Sequence, residues 1–452
     1  MKNKHIFAIC FLFALFSSML SVYAEDTKEP KYINTKTLCE YSSVNMPETK
    51  SGSIAVYNVE SGLSIYEKNT TKKVYPASTV KIMTAIIAYE SIPDLSVQLT
   101  VSRNVRNKSV GSKLGLEIGD IYTAEDLLKA VLICGSNDAA NQLSEYITNG
   151  NDDLFVAMMN EKAKELGCTS TNFTNVTGLH DGAMYTTASD MMKIAIYAYK
   201  LGNIAEWSSL ASYYFTPINN PNSPKLKYNR NYFVARNVVT DYYYRNSSGL
   251  SAGSTPQAGN CLVTSASNNG CTYICVIMDS PVIENDSTNH TYKDAALLLN
   301  KCFNSFEFKN VTDTESIMEE VSLKLCADSN HISLYPKESI SHLLPTSLNI
   351  AEDISLEKII NKTVYDAPVE AGQEFGDLIV RYKGDYILGK TKLVSTESFE
   401  RSEMLYFIDN VTKFITSSFF IVTVSAAAIL FTIYAFVSVR MKNRSRMFRS
   451  RR

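Results

Sequence analysis

The sequence reads Pro76-Ala-Ser-Thr-Val-Lys81-Ile-Met-Thr-Ala-Ile-Ile-Ala88, and no other stretch of the chain says as much about its fold. A proline followed by a serine is typical of a helix start. The predicted helix that follows is apolar almost all round, and such a helix belongs inside a core. A lysine buried in its first turn is costly unless it has a purpose. The stretch therefore predicts a functional lysine inside a packed domain.

Ser78 and Lys81 have the spacing of a catalytic pair. Helical geometry puts them on one face, with roughly 5–6 Å between their Cβ atoms. A desolvated lysine near the positive end of a helix dipole loses basicity and can be neutral near pH 7. Its amine can then accept the serine proton, and the helix N-terminus can stabilise an oxyanion. The alternative is an N-cap serine followed by a surface lysine, but the apolar flanks favour catalysis.

The two ends of the chain predict export and a membrane anchor. Residues 1–24 combine two lysines, an apolar run and a terminal Val-Tyr-Ala, as in a cleaved signal peptide. Residues 414–439 contain no charged side chain, which is long enough to cross a bilayer. The basic tail, 440–452, marks a cytoplasmic flank by the positive-inside rule. We therefore expect a single-pass protein of the cell membrane, with its body on the extracytoplasmic side. The alternatives are an uncleaved N-terminal anchor and, for 414–439, a buried core helix.

The charge of the exported part argues against a nucleic-acid partner. Without the two signal lysines and the seven cations of the tail, 35 basic residues face 46 acidic ones. An acidic body does not attract polyanions. Nine cysteines give no metal-binding spacing and leave disulfide pairing open.

Hydrophobic patterns divide the rest of the chain. A β-hairpin is predicted from residue 53, then a largely helical stretch from 79 to about 200, and two strands joined at Asn268-Asn269-Gly270. Strands at both ends of a helical block indicate an α+β domain whose sheet is built from its two termini. The predicted units are a spacer (25–50), a catalytic domain (51–306) and a small β-domain (310–402).

The chain resembles the serine D-Ala-D-Ala carboxypeptidases, the low-molecular-mass penicillin-binding proteins, over nearly its whole exported length. The segments that carry the resemblance are Ala77-Ser-Thr-Val-Lys81, Asn137-Asp-Ala-Ala140, Thr177-Gly-Leu179, Tyr185-Thr-Thr-Ala-Ser-Asp190, Ala258-Gly-Asn-Cys-Leu-Val263 and Ala367-Pro-Val-Glu-Ala-Gly-Gln373. It implies a β-lactamase/transpeptidase-like catalytic domain, in which an antiparallel sheet packs on a helical block. A small all-β domain and a C-terminal transmembrane helix are expected to follow.

The second motif departs from the family pattern Ser-x-Asn. The chain reads Gly135-Ser136-Asn137, so the asparagine is in place while the serine is displaced by one residue. The resemblance implies that Asn137 holds the substrate. Ser136 either relays protons to the leaving group from a shifted loop or is a polar turn residue.

The third motif also departs, because Ser251-Ala252-Gly253 replaces Lys-Thr/Ser-Gly. Losing the lysine removes a charge-assisted contact to the substrate carboxylate worth roughly 1.5–3 kcal/mol. Gly253 still allows close approach, and the Ser254 amide can complete an oxyanion hole with the amide of Ser78. Thr255 is expected to contact a carboxylate.

These features predict a carboxypeptidase that trims the terminal D-alanine from peptidoglycan stem peptides through a Ser78 acyl-enzyme, with Lys81 as base. β-Lactams are expected to acylate Ser78, and neither a cofactor nor a metal is implied. The alternative is a catalytically degenerate protein of the same fold that binds or scaffolds peptidoglycan. A β-lactamase is disfavoured by the extra β-domain and the anchor.

Overall fold

The computed structural model describes residues 31–32, 42, 44–384 and 386–449. The chain divides into two compact units. Of the described residues, the larger unit comprises 32, 42, 44–309 and 342–349, and the smaller comprises 31, 310–341, 350–384 and 386–449. The predicted signal peptide, 1–24, lies outside the described residues, as does most of the predicted spacer.

The strands of the described part are numbered in chain order. They are β1 (Lys31–Tyr32), β2 (Ser53–Asn58), β3 (Leu63–Lys68), β4 (Gln98–Thr100), β5 (Ile121–Thr123), β6 (Ser212–Phe215), β7 (Lys225–Tyr228), β8 (Ser251–Thr255), β9 (Gly259–Asn268), β10 (Cys271–Ser280), β11 (Phe306–Thr312), β12 (Glu319–Lys324), β13 (His331–Pro336), β14 (Ile340–Pro345), β15 (Ile354–Ile360), β16 (Val364–Asp366), β17 (Glu374–Tyr382) and β18 (Tyr386–Ser395).

The α-helices are numbered in the same way. They are α1 (Lys81–Ser91), α2 (Arg103–Lys108), α3 (Ala124–Ile133), α4 (Asn137–Thr148), α5 (Asp152–Glu165), α6 (Ala188–Lys200), α7 (Ile204–Ser208), α8 (His290–Ser305), α9 (Ile350–Asp353), α10 (Glu403–Thr416) and α11 (Ser418–Arg449). Short 3₁₀ turns cover Ala77–Val80 and Thr240–Tyr242.

A five-stranded antiparallel sheet in the order β3-β2-β10-β9-β8 forms one side of the larger unit. Its strands come from both ends of the unit, which confirms the predicted α+β class. The β9–β10 hairpin turns at Asn269 and Gly270, whose φ angles are +49° and +76°. Positive φ at both positions is what a two-residue hairpin turn requires. Among the described strands, β8 pairs only with β9, so it is an edge strand of this sheet.

Helix α1 lies in the core of the larger unit. All eight of its residues from Lys81 to Ala88 are buried. Their apolar side chains join one cluster with residues of α3, α4, α5, α6, β9 and β10. The predicted core helix is therefore confirmed, and Lys81 enters the interior because the helix around it is packed on every face.

The smaller unit is built on a sheet in the order β15-β17-β18-β13-β12-β16, in which β1 also pairs with β18. Only the β12–β16 pair is parallel among the pairings that we describe in this sheet. Alternate residues such as Val321, Leu323, Ile332 and Leu334 fill its core. This period-two pattern confirms the predicted all-β fold. Strands β11 and β14 form a separate two-stranded sheet.

Two helices end the described chain where the sequence predicted one span over 414–439. Ser417 separates α10 from α11, and its hydroxyl accepts a hydrogen bond from the Phe420 amide at 3.2 Å. Residues Ser418–Met441 are long and apolar enough to cross a membrane. The three residues before Ser417 thus belong to α10, because a serine cap starts a new helix there.

The cysteines of the described part lie in the interior. The buried cysteine side chains are those of Cys134, Cys168, Cys261, Cys271, Cys275, Cys302 and Cys326. Buried thiols of this kind act as small apolar side chains.

Candidate active site

The predicted nucleophile, Ser78, sits in a tight turn immediately before α1. The turn is a 3₁₀ helix from Ala77 to Val80, and Lys81 is the first residue of α1. Ala77 is held at φ +48°, a region that residues with a side chain rarely adopt. Strain of this kind persists only where the surrounding structure enforces it. Here the turn holds the half-buried Ser78 at the start of the core helix.

Lys81 lies directly beside Ser78, as its spacing predicted. Its Nζ atom is 3.1 Å from the Ser78 Oγ and donates a second hydrogen bond of 2.5 Å to the Thr177 carbonyl oxygen. Only 1% of the residue is exposed. The amine is therefore buried, oriented by a backbone carbonyl and within reach of the serine proton.

The surroundings of Lys81 favour its neutral form. Burial lowers the pKa of Lys81 to about 7, and the positive charge of Arg230 acts in the same direction. Desolvation and a nearby like charge both disfavour an ammonium ion. An amine with this pKa can accept a proton near neutral pH.

The Thr177-Gly178 turn positions the carbonyl that orients Lys81. The Asn175 side-chain oxygen accepts hydrogen bonds from the amides of Thr177 and Gly178 at 3.1 and 2.8 Å. Gly178 has φ +76°, and a Cβ atom on it would lie 1.9 Å from the Ala77 carbonyl oxygen. Only glycine fits there. This packing explains the Thr-Gly-Leu segment noted in the sequence.

Strand β8 approaches Ser78 through Gly253. A Cβ atom at Gly253 would lie 2.5 Å from the Ser78 Cβ and 2.7 Å from the Ser78 backbone nitrogen. Ser251, on the same face of β8, donates a hydrogen bond of 3.2 Å to the Ser78 carbonyl oxygen. The structure therefore brings Ser251 and Gly253 against Ser78. Ser251 thus presents a neutral hydroxyl beside the Ser78 turn.

Ser136 is placed in a helix cap. Its hydroxyl accepts hydrogen bonds from the amides of Ala139 and Leu114, at 3.2 and 3.1 Å, and donates to the Asp138 carboxylate. A hydroxyl has one proton, and this one is committed to Asp138. The geometry thus favours the turn-residue alternative for Ser136 over a proton relay.

The Asp138 carboxylate organises the loop around this cap. It accepts hydrogen bonds from the amides of Leu114, Gly115 and Leu116 at 2.8–2.9 Å. Burial alone would raise the pKa of Asp138, but the hydrogen bonds from Ser136 and these amides outweigh it and lower the pKa. A structural carboxylate therefore neighbours the second motif.

Asn137 has one satisfied and one unsatisfied side-chain group. Its amide nitrogen donates to the Val110 carbonyl oxygen at 2.6 Å, whereas its buried Oδ1 has no hydrogen-bond partner among the residues that the structure describes. A buried polar atom without a partner calls for an explanation. The substrate-holding role of Asn137 stays a prediction.

Arg230 is a site residue that the sequence analysis missed. Its guanidinium donates to the Ser112 hydroxyl at 2.7 Å, and the residue lines a small pocket with Ala252, Gly253 and Ser254. The preceding residue, Asn229, stabilises this segment, because its side chain donates a hydrogen bond of 2.8 Å to the Ser208 carbonyl oxygen. No local motif marks Arg230, because it reaches the site from a loop that only the fold brings near β8.

Ser254, rather than Thr255, faces this pocket. Thr255 lies at the end of β8, where its hydroxyl accepts a hydrogen bond of 3.1 Å from the Ala258 amide. That bond ties Thr255 into the turn between β8 and β9. The carboxylate contact that the sequence suggested for Thr255 is better supported at the exposed Ser254.

Comparisons with known proteins show the family of the chain. The D-alanyl-D-alanine carboxypeptidase family model matches residues 40–282, and a model of the C-terminal domain of penicillin-binding protein 5 matches residues 306–401. The D-alanyl-D-alanine carboxypeptidase DacF of Bacillus subtilis is 26% identical over 352 residues, which cover 77% of this chain and 86% of that protein.

Solved structures show the same fold. Penicillin-binding protein 5 of Haemophilus influenzae has a TM-score of 0.57 and 23% identity, covering 79% of this chain and 100% of that one. A DD-transpeptidase of Streptomyces has a TM-score of 0.52 and 25% identity, covering 57% of this chain and 99% of that one. The chain belongs to the D-alanyl-D-alanine carboxypeptidase family, the low-molecular-mass penicillin-binding proteins.

Proposed function

We propose that this chain is an active serine D-Ala-D-Ala carboxypeptidase that acts through a Ser78 acyl-enzyme. The observation that carries the proposal is the buried Lys81 amine 3.1 Å from the Ser78 hydroxyl. A serine becomes a nucleophile when an adjacent base can take its proton. Family membership supplies the substrate class, peptidoglycan stem peptides that end in D-Ala-D-Ala.

Acylation follows from the positions of these groups. Neutral Lys81 takes the Ser78 proton while Oγ attacks the carbonyl carbon of the penultimate D-alanine. The amides of Ser78 and Ser254 are proposed to stabilise the oxyanion. The tetrahedral intermediate then breaks its C–N bond, and the proton held by Lys81 passes to the leaving D-alanine nitrogen. Water, deprotonated by the same amine, hydrolyses the ester and restores Ser78.

Arg230 is proposed to replace the charge that the third motif lacks. The terminal carboxylate of the substrate needs a cation, and Ser251 provides none. The Arg230 guanidinium lines the pocket that also contains Gly253 and Ser254. Its planar fork suits a carboxylate. Asn137, whose Oδ1 has no partner in the described structure, is proposed to hold the substrate peptide.

We propose that the catalytic domain (51–306) and the β-domain (310–402) stand outside the cell. The span at Ser418–Met441 is followed by a basic tail, which the positive-inside rule places in the cytoplasm. A signal peptide at residues 1–24 would deliver the chain to this single-pass topology. β-Lactams, which resemble the substrate, would then acylate Ser78 from the outside.

The competing function is a peptidoglycan-binding or scaffolding protein without activity. It is favoured by the serine at position 251 and by the commitment of Ser136 to a helix cap. D-Alanine release from a muramyl pentapeptide by the full-length protein separates the two functions. We expect release by the native chain and none by Ser78→Ala. Peptide binding without release by the native chain would establish the scaffolding function instead.

A further inference from the structure

A second cavity in the larger unit opens near the active-site serine. It has a volume of about 360 Å³ and is lined by residues just upstream of Ser78 and just beyond β8, together with the segment around Tyr185. The lining residues include Lys72, Lys73, Tyr75, Tyr185, Gln257 and Asp279. This cavity therefore lies at the opposite end of β8 from Ser251.

The direction of a bound peptide follows from the two ends of β8. Arg230 lines the pocket beside Ala252, Gly253 and Ser254, where the terminal carboxylate is proposed to bind. An extended peptide that pairs with the open edge of β8 then runs from that pocket toward Gln257. Its acyl part, upstream of the D-alanine pair, is directed into the second cavity.

The cavity carries one cation without a carboxylate partner among the residues described. Lys72 is paired with Asp279 at 2.6 Å, so these two charges offset each other. Lys73 instead places its Nζ 4.0 Å from the centre of the Tyr185 ring. A ring face holds an ammonium in place and leaves N–H groups free to donate outward. The cavity thus presents an oriented positive charge.

The backbone fixes Lys73 and Tyr185 beside each other. Val74 and Thr186, the next residues along the chain, exchange two backbone hydrogen bonds of 2.8 and 2.9 Å. Ser78 is five positions beyond Lys73, so their Cα atoms are at most about 18 Å apart. Two or three residues of an extended peptide, at about 3.4 Å each, fit within that distance.

We propose that Lys73, held by Tyr185, binds a carboxylate carried by the acyl part of the stem peptide, within two residues of the D-alanine pair. This inference rests on the proposed function, because it uses the same peptide direction. It adds a specificity site for anionic over amidated peptides. Lys73 would act on binding rather than on the chemistry at Ser78.

The test compares two synthetic peptides that end in D-Ala-D-Ala and carry glutamate or glutamine as the second residue before that pair. Their dissociation constants are measured by calorimetry on full-length Ser78→Ala protein in detergent, so that binding is read without turnover. We expect the glutamate peptide to bind roughly two- to fivefold tighter, the range of a solvent-exposed ion pair. Introducing Lys73→Gln into the Ser78→Ala protein should make the two dissociation constants equal. Introducing Lys73→Arg instead should preserve the preference for the glutamate peptide.

Lys200→Gln, which removes an exposed lysine at the end of α6, is the matched control and should leave the preference unchanged. Equal affinity for the two peptides, or a preference that survives Lys73→Gln, overturns the subsite. Failure of the proposed function is read separately, as absence of D-alanine release by the protein with Ser78 intact. A preference for the glutamate peptide without D-alanine release would support the subsite and contradict the proposed carboxypeptidase activity.

Discussion

Gly253 faces Ser78 so closely that a single added methyl group would overlap the nucleophile, at 2.5 Å from its Cβ. The neighbouring contact, at 2.7 Å, is the Ser78 backbone nitrogen, which cannot move without moving the turn. We therefore expect Gly253→Ala to abolish acylation by penicillin and to lower the free energy of unfolding by about 1–3 kcal/mol. Acylation kinetics and urea unfolding measure the two effects. Acylation at the native rate would show that β8 does not pack on Ser78 in this way.

The rate of acylation should depend on the protonation of Lys81. Because the neutral amine is the base and its pKa is about 7, the rate should rise about tenfold per pH unit below pH 7 and level off above it. Stopped-flow acylation with a chromogenic cephalosporin gives this profile. In Arg230→Gln the rising part of the pH–rate profile should move to higher pH, because a cation that lowers the pKa of Lys81 is removed. A profile flat from pH 5 to 9 would contradict a lysine base.

The burial of Lys81 should lower the free energy of unfolding, although the residue is needed for acylation. Its pKa is lower in the folded chain than in the unfolded one, so stability is lost as pH falls from the unfolded value toward about 7. Lys81→Met fills the same space without a charge, and we expect it to lose acylation yet unfold at a higher temperature. The gain in Tm should be larger at pH 6 than at pH 9. A lower Tm at both pH values would argue that Lys81 is structural.

Restoring a lysine at position 251 should strengthen catalysis. The Ser251 hydroxyl already points at the Ser78 carbonyl oxygen, so a longer side chain would reach the substrate carboxylate. We expect Ser251→Lys to raise kcat/KM for D-alanine release about tenfold, and more strongly in the Arg230→Gln background. Ser251→Met is the control of similar length without charge. Equal rates for the lysine and methionine variants would show that charge at this position is not what limits activity.

The sequence predicted those parts of the site that depend on local spacing. Ser78 and Lys81 are one helical turn apart, so helical spacing alone placed both on one face, and the apolar flanks predicted the burial of the lysine. The hairpin at Asn269-Gly270 was predictable because its turn needs positive φ angles at two positions.

Long-range contacts were not predictable in the same way. Arg230 and Thr177 lie in loops far along the chain, yet the charge of Arg230 and the carbonyl of Thr177 both act on Lys81. No local sequence pattern indicates which distant loop will pack beside the lysine. Ser136 was left between two roles because its hydroxyl partner, Asp138, depends on how the loop at Leu114 closes. The end of α10 was missed because the span was predicted from the absence of charge over 414–439, and a serine cap at Ser417 carries no charge.

Mass spectrometry of the full-length protein after exposure to penicillin tests the central pairing most directly. Lys81 is placed to make Ser78, and no other serine, the nucleophile. We predict one penicilloyl adduct on the peptide that contains Ser78, unchanged in the surface control Ser96→Ala and absent in Ser78→Ala. An unlabelled native protein, or an adduct that persists in Ser78→Ala, would contradict the account.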